Sequence, residues 1–132
     1  MNRILIAWLA AGAVVSFVGV AGLAVAQAPA GDPVKGKALF EDRCTGCHAL
    51  KDNYQGPLLA GVVGRKAGSV SGADYTDAMK ASGVTWTPDK LDQFLTDPAK
   101  MVPGTAMPVS VADAAERRDL IAYLATVPAA DK

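Results

Sequence analysis

The chain predicts an all-α domain behind a short apolar leader. Three features carry this expectation: apolar residues recur at helical spacing in the first, third and last parts of the domain, no stretch alternates like a strand, and glycines crowd the middle. With 132 residues, the chain is sized for a single domain with one small core.

The leader comes first. Arg3 is its only charge, Ile4 to Ala26 is apolar, and the run closes on Ala24, Val25 and Ala26. A basic start, an apolar core and an A-x-A end read as a secretory signal, 1–26, cleaved before Gln27. The run is also long enough to cross a bilayer, which takes about 20 residues, so retention as a membrane anchor is the alternative. The small-residue end favours cleavage, and either fate puts the domain outside the cytoplasm. Residues 27–31 form a linker, and the domain proper spans 32–128. Charge is balanced at 13 basic and 13 acidic residues, which gives no reason to expect a nucleic-acid surface.

Within the domain, Asp32 is placed to cap and Pro33 to open a helix running to about Arg43, with Leu39 and Phe40 facing inward. From Lys51 to Val84 the glycines Gly56, Gly61, Gly64, Gly68, Gly72 and Gly83 leave room for only a short helix, around Asp74 to Ser82. Thr87 and Pro88 start another helix, with Leu91, Phe94 and Leu95 on one face and Pro98 as its limit. A loop with Pro103, Gly104 and Pro108 follows. The last helix is expected from near Val111–Asp113 to about Val127, with Leu120, Tyr123 and Leu124 on one face.

The two cysteines and the single histidine fall together as Cys44, Thr45, Gly46, Cys47, His48. This C-x-x-C-H pattern is that of covalent haem attachment. Two residues between the thiols let each sulfur form a thioether with one vinyl group, and the adjacent imidazole turns under the iron. Other uses of the pattern fit less well. A C-x-x-C redox pair normally follows a strand in a βαβ unit, which is missing. A structural zinc site needs a fourth ligand, and no further cysteine or histidine is present. A disulfide would close a very short loop and stabilise little.

Iron in such a site usually takes a second axial ligand, and with no other histidine the candidates are the methionine sulfurs. Met1 belongs to the leader, and Met79 lies in the expected short helix as a packing residue. Met101 and Met107 both fall in the proline-bounded loop, and the pattern of residues does not choose between them.

Taken whole, the chain resembles a class I cytochrome c, of the mitochondrial and bacterial c2-like group, over nearly all of Gly31 to Val127. Beyond CTGCH, the likeness rests on Gly56-Pro57, GRKAG from Gly64, YTDA from Tyr75 and GVTW from Gly83. It continues in DPAKMVPGTAM from Asp97 to Met107 and in ERRDLIAYL from Glu116. The resemblance implies the class I fold around one covalent haem c, with Cys44 and Cys47 as tethers and His48 and Met107 as iron ligands. It implies that Pro57 offers its carbonyl to the other ring nitrogen of His48. Arg65, Tyr75 and Trp86 match positions around the haem propionates, where donors offset the cost of burying carboxylates. Gly36 and Phe40 with Leu120 and Tyr123 match the crossing of the terminal helices.

The chain departs from the family pattern at several points. Phe94 stands where many members have a tyrosine near the ligand methionine, and Val109 where mitochondrial proteins have a phenylalanine at the haem edge. Ala99 and Ala106 replace docking lysines, while Arg43, Lys66 and Lys100 remain, and the loop from His48 to Gly56 is shorter. By resemblance the function is one-electron transfer in the periplasm, between a cytochrome bc1-type quinol-oxidising complex and a terminal oxidase, through iron cycling between ferrous and ferric states. The alternative is a haem enzyme or gas-binding protein, should the methionine ligand be absent or displaced.

Overall fold

The computed structural model describes residues 30–129, so the leader 1–26 and most of the linker lie outside the described residues. Five helices follow in order: α1 (Pro33–Arg43), α2 (Asp77–Ala81), α3 (Pro88–Thr96), α4 (Pro98–Met101) and α5 (Ala114–Thr126). Among the described residues the only β-pairing is an isolated antiparallel bridge between Lys66 and Thr85. None of these helices is long and apolar enough to cross a membrane.

Each helix starts at a side-chain cap. The Asp32 carboxylate accepts from Val34 N at 2.9 Å, and Pro33 supplies a first-turn residue with no amide hydrogen to satisfy. Thr76, Thr87, Asp97 and Asp113 do the same for α2 to α5. Caps also account for two differences from the sequence expectation. The short middle helix begins at Asp77 rather than Asp74, because extended Thr76 turns its hydroxyl to Met79 N. Pro98 ends α3 but does not open a loop at once: Asp97 closes α3 and caps α4, which puts Met101 at the end of a four-residue helix.

The terminal helices α1 and α5 form the main helix pair. Gly36 makes their closeness possible, since a Cβ there would overlap the Asp119 carbonyl and lie 2.8 Å from Tyr123 Cβ. The rings of Phe40 and Tyr123 pack at 5.6 Å on the same crossing. Polar contacts fix the register: Asp32 N donates to Asp119 Oδ1 at 2.7 Å, and Arg43 reaches both carboxylate oxygens of Glu116 at 2.9 and 3.2 Å. Leu120, Ile121 and Leu124 turn inward with Phe40, Leu91, Phe94 and Leu95. Full burial of side chains of this size is worth roughly 1.5–3 kcal/mol each before entropy is counted.

Among the described residues Arg117 is the one charged residue that is buried. Its Nε donates to Asp92 of α3 at 2.7 Å, and its Nη1 donates to the carbonyls of Val111 and Ala112 at 2.9 and 2.8 Å. It ties α5 to α3 and to the end of the preceding loop. That loop is pinned at both ends by buried valines, Val102 and Val111, with Val111 N donating to Leu95 O at 2.7 Å.

Candidate functional site

Helix α1 delivers the C-x-x-C-H segment. Cys44 keeps helical backbone angles as the helix cap, its amide bonded to Phe40 O. The Cys44 carbonyl then accepts from both Cys47 N at 3.1 Å and His48 N at 2.8 Å. One tight turn thus carries both thiols and the imidazole. Cys44 is half-buried and Cys47 exposed, and neither is in a disulfide. Burial pushes the Cys44 thiol up to about 11, against a smaller opposing pull from Arg43, so at neutral pH it stays protonated.

The loop after His48 folds back to face it. Gly56 N donates to Cys47 O at 2.8 Å, and Leu59 N and Ala60 N pair with the carbonyls of Ala49 and Leu50. This return brings the Pro57 carbonyl to 2.8 Å from His48 Nδ1. With Nδ1 donating to that carbonyl, Nε2 is the nitrogen left for a metal. Gly56 lies flat against the ring: a Cβ there would overlap Cε1 and stand 2.8 Å from Nδ1. A side chain at 56 and the imidazole in this position exclude one another.

Arg65 and Trp86 are held by a short antiparallel contact. Gly64 N donates to Trp86 O at 2.8 Å, Trp86 N to Arg65 O at 2.9 Å, and Ala67 N to Val84 O at 2.8 Å. Trp86 is buried with its ring 4.9 Å from that of Phe94. The Arg65 guanidinium donates to Ala60 O at 3.0 Å and Leu58 O at 2.8 Å, while its Nε is buried without a partner among the described residues. Burial lowers its proton affinity, and the Tyr75 oxygen opposes this.

Met107 lies in the loop between α4 and α5, half-buried against the core cluster, with its amide bonded to the Thr105 hydroxyl at 3.3 Å. Met101 is also half-buried and packs on the same cluster, while Met79 is buried as a packing residue. Two features were not readable from residue types. Asn53, a lone polar residue in a polar loop, bonds to Leu58 N and to Ser71 O. Arg43 is not free to serve a docking surface, because Glu116 takes its guanidinium. Lys66 and Lys100 are in no ion pair among the described residues.

A helical shell with two free thiols, an oriented imidazole and a half-buried thioether defines a covalent-haem protein. Known proteins agree. The chain matches the cytochrome c family over residues 33–128. It is 48% identical over 104 residues to cytochrome c2 of Rhodopila globiformis, covering 76% of this chain and 98% of that one. It is 44% identical over 103 residues to cytochrome c 2.1 of Caenorhabditis briggsae, covering 76% and 92%. Among solved structures it is similar to cytochrome cH from Methylobacterium extorquens, with TM-score 0.70 and 45% identity over 73% of this chain and 99% of that one. The chain belongs to the cytochrome c family, as a class I member. It is an electron carrier, not an enzyme, and its cofactor is one covalent haem c with its iron. The residues present fit that group: the thiols and ring nitrogen suit tether and ligand, and the unpartnered Arg65 Nε suits a buried carboxylate.

Proposed function

We propose that this chain is a periplasmic one-electron carrier. In this reading Cys44 and Cys47 tether the haem, His48 and Met107 hold its iron, and Arg65, Tyr75 and Trp86 face its propionates. The observation that carries it is the 2.8 Å approach of Pro57 O to His48 Nδ1 in the residue that completes C-x-x-C-H. A histidine with its outer nitrogen bonded in this way is oriented as a metal ligand.

Bound there, the haem iron supplies a reversible one-electron couple. The protein's part is to keep that couple fast and of fixed poise. Cys44 and Cys47 would tether the group against loss, the carbonyl-bonded His48 imidazole would supply a basic ligand, and the Met107 thioether would favour the reduced state. Packed Trp86 and Phe94 exclude water from one wall. Val109, which is 37% exposed, would stand at the edge where electrons enter and leave, with Lys66 and Lys100 as the remaining docking charges. The partners are a bc1-type quinol-oxidising complex and a terminal oxidase. The domain order is a signal, 1–26, a linker, 27–31, and the carrier domain, 32–128. The likeness to the cytochrome c2 of Rhodopila globiformis supports the reading as a bacterial carrier.

Intact-mass measurement of the protein from a periplasmic extract, under denaturing conditions, tests this reading. The expected mass is that of the chain from Gln27 onward with one haem added. A denatured chain that carries no haem contradicts the tether assignment, and a chain that keeps Met1 to Ala26 contradicts the cleaved export signal.

A further inference from the structure

The Pro57–Leu58 peptide is bonded at both of its polar ends. Its carbonyl accepts from His48 Nδ1 at 2.8 Å, and its amide hydrogen goes to Asn53 Oδ1 at 3.1 Å. The same Asn53 uses its Nδ2 to donate to Ser71 O at 3.0 Å. That second bond settles which side-chain atom is which, because Ser71 O needs a donor and Leu58 N an acceptor. The next carbonyl, Leu58 O, is held by Arg65 Nη2 at 2.8 Å, and the next amide, Leu59 N, by Ala49 O at 3.0 Å. Of these fixings, only the one from Asn53 acts directly on the peptide that faces His48.

We propose that Asn53 is a positioning residue for His48: through the Pro57–Leu58 peptide it strengthens the hydrogen bond on Nδ1 and so tunes the haem potential. The inference rests on His48 being the iron ligand. Hydrogen bonds in a chain polarise one another, so an acceptor on the amide hydrogen makes the carbonyl of the same peptide a better acceptor. A better acceptor on Nδ1 makes the imidazole more basic at its other nitrogen, and a more basic ligand stabilises the oxidised metal. Asn53 therefore holds the potential down. Because its side chain is exposed, water can partly replace its oxygen when it is removed, which keeps the effect small.

A role limited to tying two loops together predicts something else. Loosening the 53–58 loop would admit water and lower the potential, since exposure favours the more charged oxidised site. Two variants of the holoprotein separate these cases. Asn53→Ala removes both bonds, whereas Asn53→Asp keeps the oxygen facing Leu58 N and loses the donor to Ser71 O. The readouts are the equilibrium potential and the proton resonance of His48 Nδ1 in the reduced protein. Expected is a rise in potential for Asn53→Ala, with the reduced-to-oxidised ratio at fixed poise up about twofold, or about 18 mV. Its Nδ1 proton resonance should move upfield. Asn53→Asp should shift both readouts the opposite way, despite the lost tie to Ser71. An unmoved Nδ1 resonance in Asn53→Ala, or a potential that falls in both variants, overturns the role of Asn53. Failure of the underlying ligand assignment shows separately, as a His48→Ala protein with an unchanged haem spectrum.

Discussion

Gly56→Ala is a one-carbon test of how His48 is held. The new Cβ would overlap His48 Cε1 and stand 2.8 Å from Nδ1 and 3.0 Å from Nε2, where ordinary contact begins at 3.4 Å. The ring or the 56–57 backbone must move by several tenths of an ångström. Either shift stretches a bond that is now 2.8 Å toward the 3.2 Å limit of useful geometry. Weakening that bond costs about 0.5–1.5 kcal/mol. Forcing a methyl into a packed contact adds about 1–3 kcal/mol. Together these give about 1.5–4.5 kcal/mol, which for a domain of this size lowers the melting temperature by at least about 6 °C. The internal control is Gly46→Ala, within the same motif, where a Cβ meets nothing within 4 Å and the change should stay inside about 0.5 kcal/mol. Thermal unfolding of the holoproteins, followed by helix signal and haem absorbance, compares the two. Equal stability of Gly56→Ala and wild type would refute the claim that the imidazole is wedged in place.

Arg117→Ala should cost about 3 kcal/mol in denaturant unfolding, because it strips the carbonyls of Val111 and Ala112 as well as Asp92 of their donor. Asp92→Asn should cost only about 1 kcal/mol, since Asp92 is 42% exposed and water replaces part of what it loses. For acid stability, the amides of Glu116 and Ala115 hold the Asp113 carboxyl below its ordinary 3.8. A depressed folded value means the stabilisation is full above the unfolded value and fades as pH falls through the folded one. Asp113→Asn keeps an acceptor at the cap, so stability measured from pH 6 down to pH 2 should fall less steeply than in wild type. An unchanged acid slope would exclude Asp113 as a contributor.

Helices α1, α3 and α5 were legible because each combines a cap, a first-turn proline or acid, and an apolar face long enough to show its period. The start of α2 and the whole of α4 were not. Asp97 closes one helix and opens the next, so Pro98 reads equally well as a stop or a start. Within the site, CTGCH announced its chemistry through residue types that are rare in this chain, and the 33–128 family match agrees with it. The supports were hidden for a physical reason. Asn53 and Arg117 each reach a group distant in sequence, the Ser71 carbonyl and the Asp92 carboxylate, and a polar residue carries no periodic signal of its partner. Arg43 shows the converse: its charge was visible, but its engagement with Glu116 across 73 positions was not.

The proposed electron carrier depends on His48 and Met107 being the two iron ligands of its covalent haem. The ferric holoprotein's visible spectrum tests it most directly, because sulfur ligation gives a weak band near the red end. Met107→Ala should abolish this band, whereas Met101→Ala, altered at the end of α4, should retain it. Loss of the band in Met101→Ala with its survival in Met107→Ala would contradict the assignment.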